Sequence, residues 1–169
     1  MAEVGILGAD ERVELIDGEI IDMAPPGSLH AASVHRLTEI FIRSLGSLAT
    51  VLAQNPVLLG EHSQPQPDLA LLKRREDFYG DEHPRPADVL LVVEIADTSL
   101  DFDRETKSRL YARHGISEFW LIDLRGRRLA RYRLPQQGSY TFVDEPDLET
   151  PLEAEALPGM PLDLRRLFG

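Results

Sequence analysis

The most constraining feature of this 169-residue sequence is an apolar octapeptide that contains a single carboxylate. Residues 89–96 read VLLVVEIA, so Glu94 is the one charged residue among seven apolar neighbours. Near-continuous hydrophobicity predicts a strand that is covered on both faces of a sheet. An ionised carboxylate in such surroundings is costly unless it is paired or bound to a metal. The octapeptide therefore predicts a buried central strand whose glutamate has a role beyond solubility.

An early hairpin and a long helix are predicted before this strand. Two short β-rich runs, at residues 12–16 and 19–23, flank an Asp-Gly dipeptide of the kind that favours a tight hairpin turn. Ser28 then predicts the N-cap of a helix over residues 29–48. The apolar positions of that helix recur at helical spacing and are expected to share one buried face: Val34, Leu37, Phe41, Leu45 and Leu48.

The rest of the sequence alternates strand-like and helical segments. Asp101 and Asp103 suit the beginning of a helix over residues 104–114, and Gly115 suits its end. The other predicted elements are strands at 51–59 (broken near Asn55-Pro56), 68–73, 118–123, 127–134 and 140–143, a loop at 74–88, and a terminal helix or turn at 162–168. These elements predict an α/β or α+β fold with a mixed central sheet, antiparallel hairpins at both ends, and a single domain over residues 1–169.

The composition excludes several classes of site. There is no cysteine, which removes disulfides, thiolate zinc sites and cysteine nucleophiles, and which suits a reducing cytoplasm. The longest apolar run is far shorter than the ~20 residues of a membrane span, so we expect a soluble, cytoplasmic protein without a membrane partner. The net charge of −11 is the wrong sign for binding a phosphate backbone, although basic residues cluster at 73–75, 125–133 and 165–166.

Two further polar residues interrupt apolar elements as Glu94 does. Asp68 opens a predicted strand after Pro67, and Lys107 lies on the helical face that carries Leu110. A lysine on a core-facing stripe either reaches solvent or pairs with an acid beneath it. Two carboxylates on neighbouring strands fit the oxygen-rich shell that Mg²⁺ or Mn²⁺ prefers. Such a cation would polarise a phosphoryl oxygen, and the lysine would orient water or neutralise developing charge.

Four stretches of the sequence carry a resemblance to known nucleases: VELIDGEIIDM, PDLALL, VVEIADTSLDFDRETKSRLYARHGISEFWLID and LPGMPLDL. Asp68 after Pro67, followed later by the Glu94-Ile95-Ala96 triplet, resembles the signature of the PD-(D/E)XK nuclease superfamily. The four stretches together, in order along nearly the whole chain, resemble the Uma-two family of restriction endonucleases. The resemblance implies a restriction-endonuclease-like core and an Mg²⁺- or Mn²⁺-dependent endonuclease that acts on DNA.

The lysine of the superfamily signature is displaced in this sequence. It normally follows the second acid by two residues, and Ala96 occupies that position here. In the Uma-two family the lysine lies in the next helix, in a D-x-x-x-K pattern that corresponds here to Asp103 and Lys107. The site residues that the resemblance implies are the metal ligands Asp68, Glu94 and the carbonyl of Ile95, and the catalytic residues Asp68, Glu94, Lys107, Glu14 and His30.

Several of these residues have plain structural alternatives. Glu14 is also typical of a solvated hairpin residue, and His30 of a hydrogen-bonded histidine at the edge of the core. We interpret Asp97 and Asp103 mainly as loop or cap residues. The aromatic residues near the predicted site are assigned to the core without chemistry: Tyr111, Phe119 and Trp120.

Three functions stay open at the level of sequence. The first is DNA cleavage, by a homodimer or a higher homo-oligomer, because a duplex has two strands to cut. The second is a non-catalytic binding or assembly module, which the acidic net charge and the lack of a recognisable DNA-reading motif favour. The third is hydrolysis of RNA by the same metal chemistry. The arginine-rich residues 125–133 are interpreted as an exposed edge hairpin, which either contacts DNA or deters edge-to-edge aggregation.

Overall fold

An antiparallel hairpin opens the part of the chain that the computed structural model describes, which is residues 13–169. Strands β1 (Val13–Ile16) and β2 (Glu19–Asp22) pair around Asp17 and Gly18, whose positive φ angles of 52° and 85° form the tight turn. The predicted hairpin is confirmed for these residues. Arg12, where the first strand was expected to begin, lies outside the described residues.

The long helix α1 (Ser28–Leu45) buries the face that the sequence predicts, up to its last turn. Two details of the prediction are wrong. Gly27 rather than Ser28 is the N-cap, and it makes no side-chain capping bond. Leu48 is 53% exposed, because the helix ends at Leu45 and Gly46, at a φ of 53°, turns the chain away. A left-handed backbone of this kind favours glycine and commonly ends helices.

A six-stranded mixed sheet forms the centre of the fold, as predicted. Its strands lie side by side in chain order: β3 (Ala49–Ala53), β4 (Leu69–Lys73), β5 (Val89–Ala96), β6 (Glu118–Asp123), β7 (Arg128–Gln136) and β8 (Ser139–Asp144). All neighbouring pairs are antiparallel except β5 and β6, which are parallel. A parallel pair needs a crossover connection, and the second helical segment supplies it.

Strand β3 is shorter than the predicted strand over 51–59. It ends at Ala53, and Gln54 takes a positive φ of 50°. Asn55 and Pro56 follow at once, and proline has no N–H with which to continue a ladder. Residues 57–65 instead fold back on themselves, so that the N–H of Val57 donates to the carbonyl of Pro65.

The second helical segment begins earlier than the predicted residue 104. It consists of α2 (Leu100–Phe102), a π-helical stretch (Asp103–Lys107) and α3 (Ser108–Arg113). Gly115 ends it at a φ of 74°, as expected. A short 3₁₀ turn (Pro86–Asp88), absent from the prediction, lies in the expected loop and leads into β5.

Two apolar layers lie on opposite faces of the sheet. Alternate residues of β5 serve the two layers: Val93 packs on the side of α1, and Val92 packs on the side of α3. Glu94 therefore faces α3, as its contact with Tyr111 also shows. The strand is buried on both faces, which confirms the reading of its near-continuous hydrophobicity.

The arginine-rich segment is not the edge hairpin that the sequence predicts. Strand β7 pairs with β6 on one side and β8 on the other, so β8 is the edge strand. Beyond β8, the bridge between Leu152 and Leu162 ties down the tail, and the expected terminal element at 162–168 consists of turns that bury Leu164 and Leu167. No helix within residues 13–169 is long and apolar enough to span a bilayer.

Candidate active site

An open cleft of about 360 Å³ lies where the end of β5 and the start of β4 meet the hairpin and the second helical segment. Ile95 and all five side chains predicted as catalytic line it: Glu14 in β1, His30 in α1, Asp68 directly before β4, Glu94 in β5 and Lys107 in the π-helical stretch. The fold thus joins residues as far apart in sequence as Glu14 and Lys107, which are separated by 93 positions.

Lys107 is almost fully buried within this cleft. Its Nζ lies 2.9 Å from Oε1 of Glu94 and 2.9 Å from Oε1 of Glu14. The side chain of Lys107 is 6% exposed, that of Glu94 is 4% exposed and that of Glu14 is 3% exposed. A charge buried to this extent needs compensating partners. Of the two sequence alternatives for Lys107, the structure therefore shows the one in which it pairs with an acid.

The pKa values of Glu94 and Lys107 are strongly displaced. Burial raises the pKa of Glu94 well above its usual range, and the nearby charge of Lys107 opposes that rise. Burial alone would lower the pKa of Lys107, but Glu94 and Glu14 outweigh it and raise this pKa above its usual value. Displaced groups that converge in one cleft are typical of functional sites.

Asp68 is oriented by donors from three parts of the chain. Its Oδ2 accepts a hydrogen bond from the N–H of Ile95 at 2.9 Å and lies 3.0 Å from Nε2 of His30. Its Oδ1 accepts a long bond of 3.4 Å from Nε2 of Gln54. The N–H of Asp68 itself donates to Oε2 of Glu94 at 3.4 Å. The backbone of Asp68 therefore lies against the carboxylate of Glu94, and both residues line the same cleft.

Two of the predicted site residues contribute in ways that the sequence does not define. Ile95 contacts Asp68 through its N–H, and its side chain is buried in the layer on the side of α1. A role for its carbonyl as a metal ligand stays a prediction. The hydrogen bond to Asp68 raises the pKa of His30, so the imidazole is biased toward its charged form beside that carboxylate.

Sequence reasoning missed the glutamines that support the acids. The N–H of Gln66 donates to Oε1 of Glu14 at 2.7 Å, and its side chain donates to the carbonyl of Val13. Gln54 reaches Asp68 from the end of β3. Gln66 belongs to the Pro- and Gln-rich run that precedes Asp68, and this neighbourhood is the one sequence signal that could have indicated it.

Two residues near Lys107 make buried polar contacts that the sequence did not predict. Asp103, interpreted as a loop or cap residue, is 4% exposed and accepts a hydrogen bond of 2.5 Å from Oγ of Ser99. Burial raises the pKa of Asp103 as well. Tyr111, assigned to the core without chemistry, donates from its hydroxyl to Oε1 of Glu94 at 2.6 Å. The contact of Tyr111 joins two different elements and has no local signature in the sequence.

A π-helical stretch contributes two charged residues to the cleft. It begins at Asp103 and ends at Lys107, and both residues line the cleft. A π-helical turn adds one residue to the repeat of a helix, and such turns occur frequently at functional sites. The acid and the lysine, four positions apart, lie on the same surface of this stretch.

The sequence matches a known protein family over nearly its whole length. Residues 3–165 match the Uma2 family, which is described as "Putative restriction endonuclease". The chain belongs to the Uma2 family. The resemblance inferred from the four sequence stretches is thereby confirmed, and Uma2 membership supports a nuclease function. No curated protein matches the sequence.

A solved structure shares the fold of this Uma2 chain. It is described as a "putative nuclease belonging to DUF820" from Anabaena variabilis ATCC 29413, with a TM-score of 0.74 and 18% sequence identity. The match covers 98% of this chain and 94% of the other. At this identity the likeness concerns the fold, and it confirms the predicted nuclease-like arrangement of a mixed sheet flanked by helices.

The donor set of the Uma2 cleft fits a hard divalent cation. No group of three or more His, Asp or Glu side chains within residues 13–169 is arranged as a complete metal site. Mg²⁺, however, is commonly held by one or two carboxylates and otherwise keeps water and substrate oxygens. Asp68 and Glu94 are two carboxylates of this kind, because the N–H of Asp68 bonds Oε2 of Glu94 and both residues line the open cleft.

Proposed function

We propose that this Uma2 protein is a metal-dependent endonuclease that hydrolyses phosphodiester bonds in DNA, with Asp68, Glu94 and Lys107 as its central residues. One observation carries the proposal. Two carboxylates suited to a divalent cation share a cleft with a lysine that is 6% exposed and bonded to one of them. A fold under no functional constraint would not need to bury these charges, since apolar residues fill the same space at no desolvation cost.

The residues divide the chemistry among them. Asp68 and Glu94 would hold Mg²⁺ or Mn²⁺, which supplies Lewis-acid polarisation of the scissile phosphate and a more acidic bound water. Lys107 holds a fixed positive charge in the cleft, where charge develops on the phosphate. Glu14 anchors the ammonium of Lys107 from the hairpin side, at 2.9 Å. His30 holds Asp68 in place through its Nε2.

The charge of the cleft explains why a cation is part of this proposal. The acids that line it are Glu14, Asp22, Asp68, Glu94, Asp97 and Asp103, and the bases that line it are His30 and Lys107. A phosphodiester would be repelled by this excess of carboxylates. A bound divalent cation would reverse the local sign and allow a phosphate to enter. This local reversal also reconciles an anionic substrate with the net charge of −11.

The proposed nucleic acid, oligomeric state and location each rest on a separate argument. RNA would be cut by the same residues, so DNA is proposed on the basis of the family description. A homodimer is proposed because a duplex has two strands. A cytoplasmic location is proposed because the sequence has no cysteine and thus no need of an oxidising compartment.

Cleavage of closed circular DNA tests the proposal. Double-stranded and single-stranded circles are incubated with Mg²⁺, Mn²⁺ or EDTA, and circular substrates score internal cuts without interference from exonucleases. We expect nicking or linearisation that requires the cation and is lost in Asp68→Asn. Asp163→Asn is the matched control, because Asp163 is an exposed aspartate paired with Arg165 far outside the cleft lining.

The same assay separates the second candidate function. The acidic net charge and the closed lysine–glutamate pairs favour a non-catalytic binding module. No cleavage of either circle with any cation would support that module and contradict the nuclease. Cleavage that Asp68→Asn leaves unchanged would show that the cleft is not its source.

A further inference from the structure

Tyr111 is a buried polar group that the chemistry described so far does not use. It lies in α3, it is fully buried, and its ring packs against Phe119 at 5.4 Å between centroids. It is not part of the cleft lining, so it cannot touch a substrate there. Its hydroxyl donates to Oε1 of Glu94 at 2.6 Å, a short bond of the kind that a charged acceptor makes.

This hydrogen bond distinguishes the two oxygens of Glu94. Oε1 accepts from both the hydroxyl of Tyr111 and the ammonium of Lys107. Oε2 accepts one long bond of 3.4 Å from the N–H of Asp68. Two strong donors on one oxygen fix the rotation of the carboxylate, and the weakly bonded oxygen is the one beside Asp68.

We propose that Tyr111 is a positioning residue that holds Glu94 with Oε2 turned toward Asp68, ready for a divalent cation. The inference rests on the proposed function, because it gives Glu94 the role of a metal ligand. Partners that orient metal ligands affect the affinity for the metal by roughly 10- to 100-fold when they are removed. A phenylalanine at position 111 would fill the same volume, so a packing role alone does not explain the hydroxyl.

A matched pair of variants tests the proposal. Tyr111→Phe removes the hydroxyl that bonds Glu94, and Tyr140→Phe removes a hydroxyl that bonds the carbonyl of Ile116 at 2.9 Å. Both rings pack against Phe119, but neither Tyr140 nor Ile116 lines the cleft. Binding of Mn²⁺ to each folded variant is measured by calorimetry or by electron paramagnetic resonance, with thermal unfolding as the measure of structural damage.

We expect Tyr111→Phe to weaken Mn²⁺ binding by about tenfold, while Tyr140→Phe leaves the affinity unchanged even where both lower the melting temperature. Equal affinity in wild type and Tyr111→Phe would overturn the inference and leave the proposed function intact. A wild-type protein that binds no Mn²⁺ would overturn both. The two failures are therefore distinguishable.

A second measurement requires no variant of the site to fold. The chain has four tyrosines, and fluorotyrosine labelling makes each visible by fluorine NMR. Saturating Mg²⁺ should shift the resonance of Tyr111, which bonds a proposed ligand, and leave that of Tyr140 in place. Resonances that do not move when Mg²⁺ binds would contradict the positioning role.

Discussion

The cleft and the β7–β8 hairpin both contain ion pairs, but they hold their charges in opposite environments. In the cleft, Lys107 and Glu94 are 6% and 4% exposed. In the hairpin region, the Arg128–Glu145 pair is 50% and 57% exposed, and the Arg131–Asp144 pair is 16% and 31% exposed. Water reaches and screens the hairpin pairs, whereas the partners in the cleft depend on one another.

This difference explains what each region can tolerate. Exposed ion pairs contribute about 0–1 kcal/mol, so either partner can change at small cost. A buried pair contributes little net stability, but removal of one partner leaves an uncompensated charge. The hairpin charges therefore act as replaceable surface, whereas the cleft keeps an arrangement that stability alone does not favour. That arrangement is the physical argument for function in the cleft.

The largest effect is expected from Lys107→Met. The change leaves Glu14 and Glu94 buried without their cation, and the free energy of unfolding should fall by about 3–5 kcal/mol. Urea denaturation at neutral pH measures it, with the exposed Lys73→Met as the control. A loss below about 1 kcal/mol would show that the cleft charges are as replaceable as those of the hairpin.

An intermediate effect is expected from Glu14→Gln. The amide still offers an oxygen to the N–H of Gln66, but Lys107 keeps only one charged partner. We expect the free energy of unfolding to fall by about 1.5 kcal/mol, as for a lost hydrogen bond to a charged group. Glu19→Gln, at an exposed position of the β1–β2 hairpin that contains Glu14, is the matched control and should change the free energy of unfolding little. An equal effect of the two changes would contradict the distinction between buried and exposed charges.

The smallest effect is expected in the hairpin, from Asp144→Asn. The hydrogen bond from Arg131 lowers the pKa of Asp144. Its stabilisation is therefore present above the unfolded pKa of about 4 and is lost as the pH falls through the lowered folded value. At pH 7 the variant should lose less than about 1 kcal/mol, and below that window it should match the wild type. Chemical unfolding measured from about pH 2 to about pH 7, the range in which carboxylates titrate, checks this. A difference between variant and wild type that persists at the acidic end would contradict it.

The sequence predictions succeed where the information is local along the chain, and they fail where it depends on long-range contacts. The importance of Glu94 could be predicted from the sequence, because a carboxylate within an eight-residue apolar strand is unusual. The β1–β2 hairpin and helix α1 have local turn and periodicity signals in the sequence, and the structure contains both elements. The exposed Leu48 was misplaced because periodicity continues past Gly46, where the backbone reverses.

The missed parts of the site depend on contacts that no local pattern encodes. Gln66 bonds a residue 52 positions earlier in the chain, and Tyr111 bonds one in another element. Asp103 looked like a cap residue because a π-helical stretch has no recognisable sequence signature. Helical spacing predicted that Lys107 lies on a core-facing stripe, and the family resemblance added its catalytic role.

The most direct test of the central claim compares Glu94→Gln with Asp144→Asn in the cleavage of closed circular DNA at saturating Mg²⁺. Each variant removes one carboxylate charge with little change of volume, one in the cleft and one in the hairpin. The rate of cleavage should fall on the order of 100-fold or more in Glu94→Gln and stay near that of the wild type in Asp144→Asn. Equal rates in a folded Glu94→Gln and the wild type would show that the buried carboxylate of the cleft does not take part in cleavage.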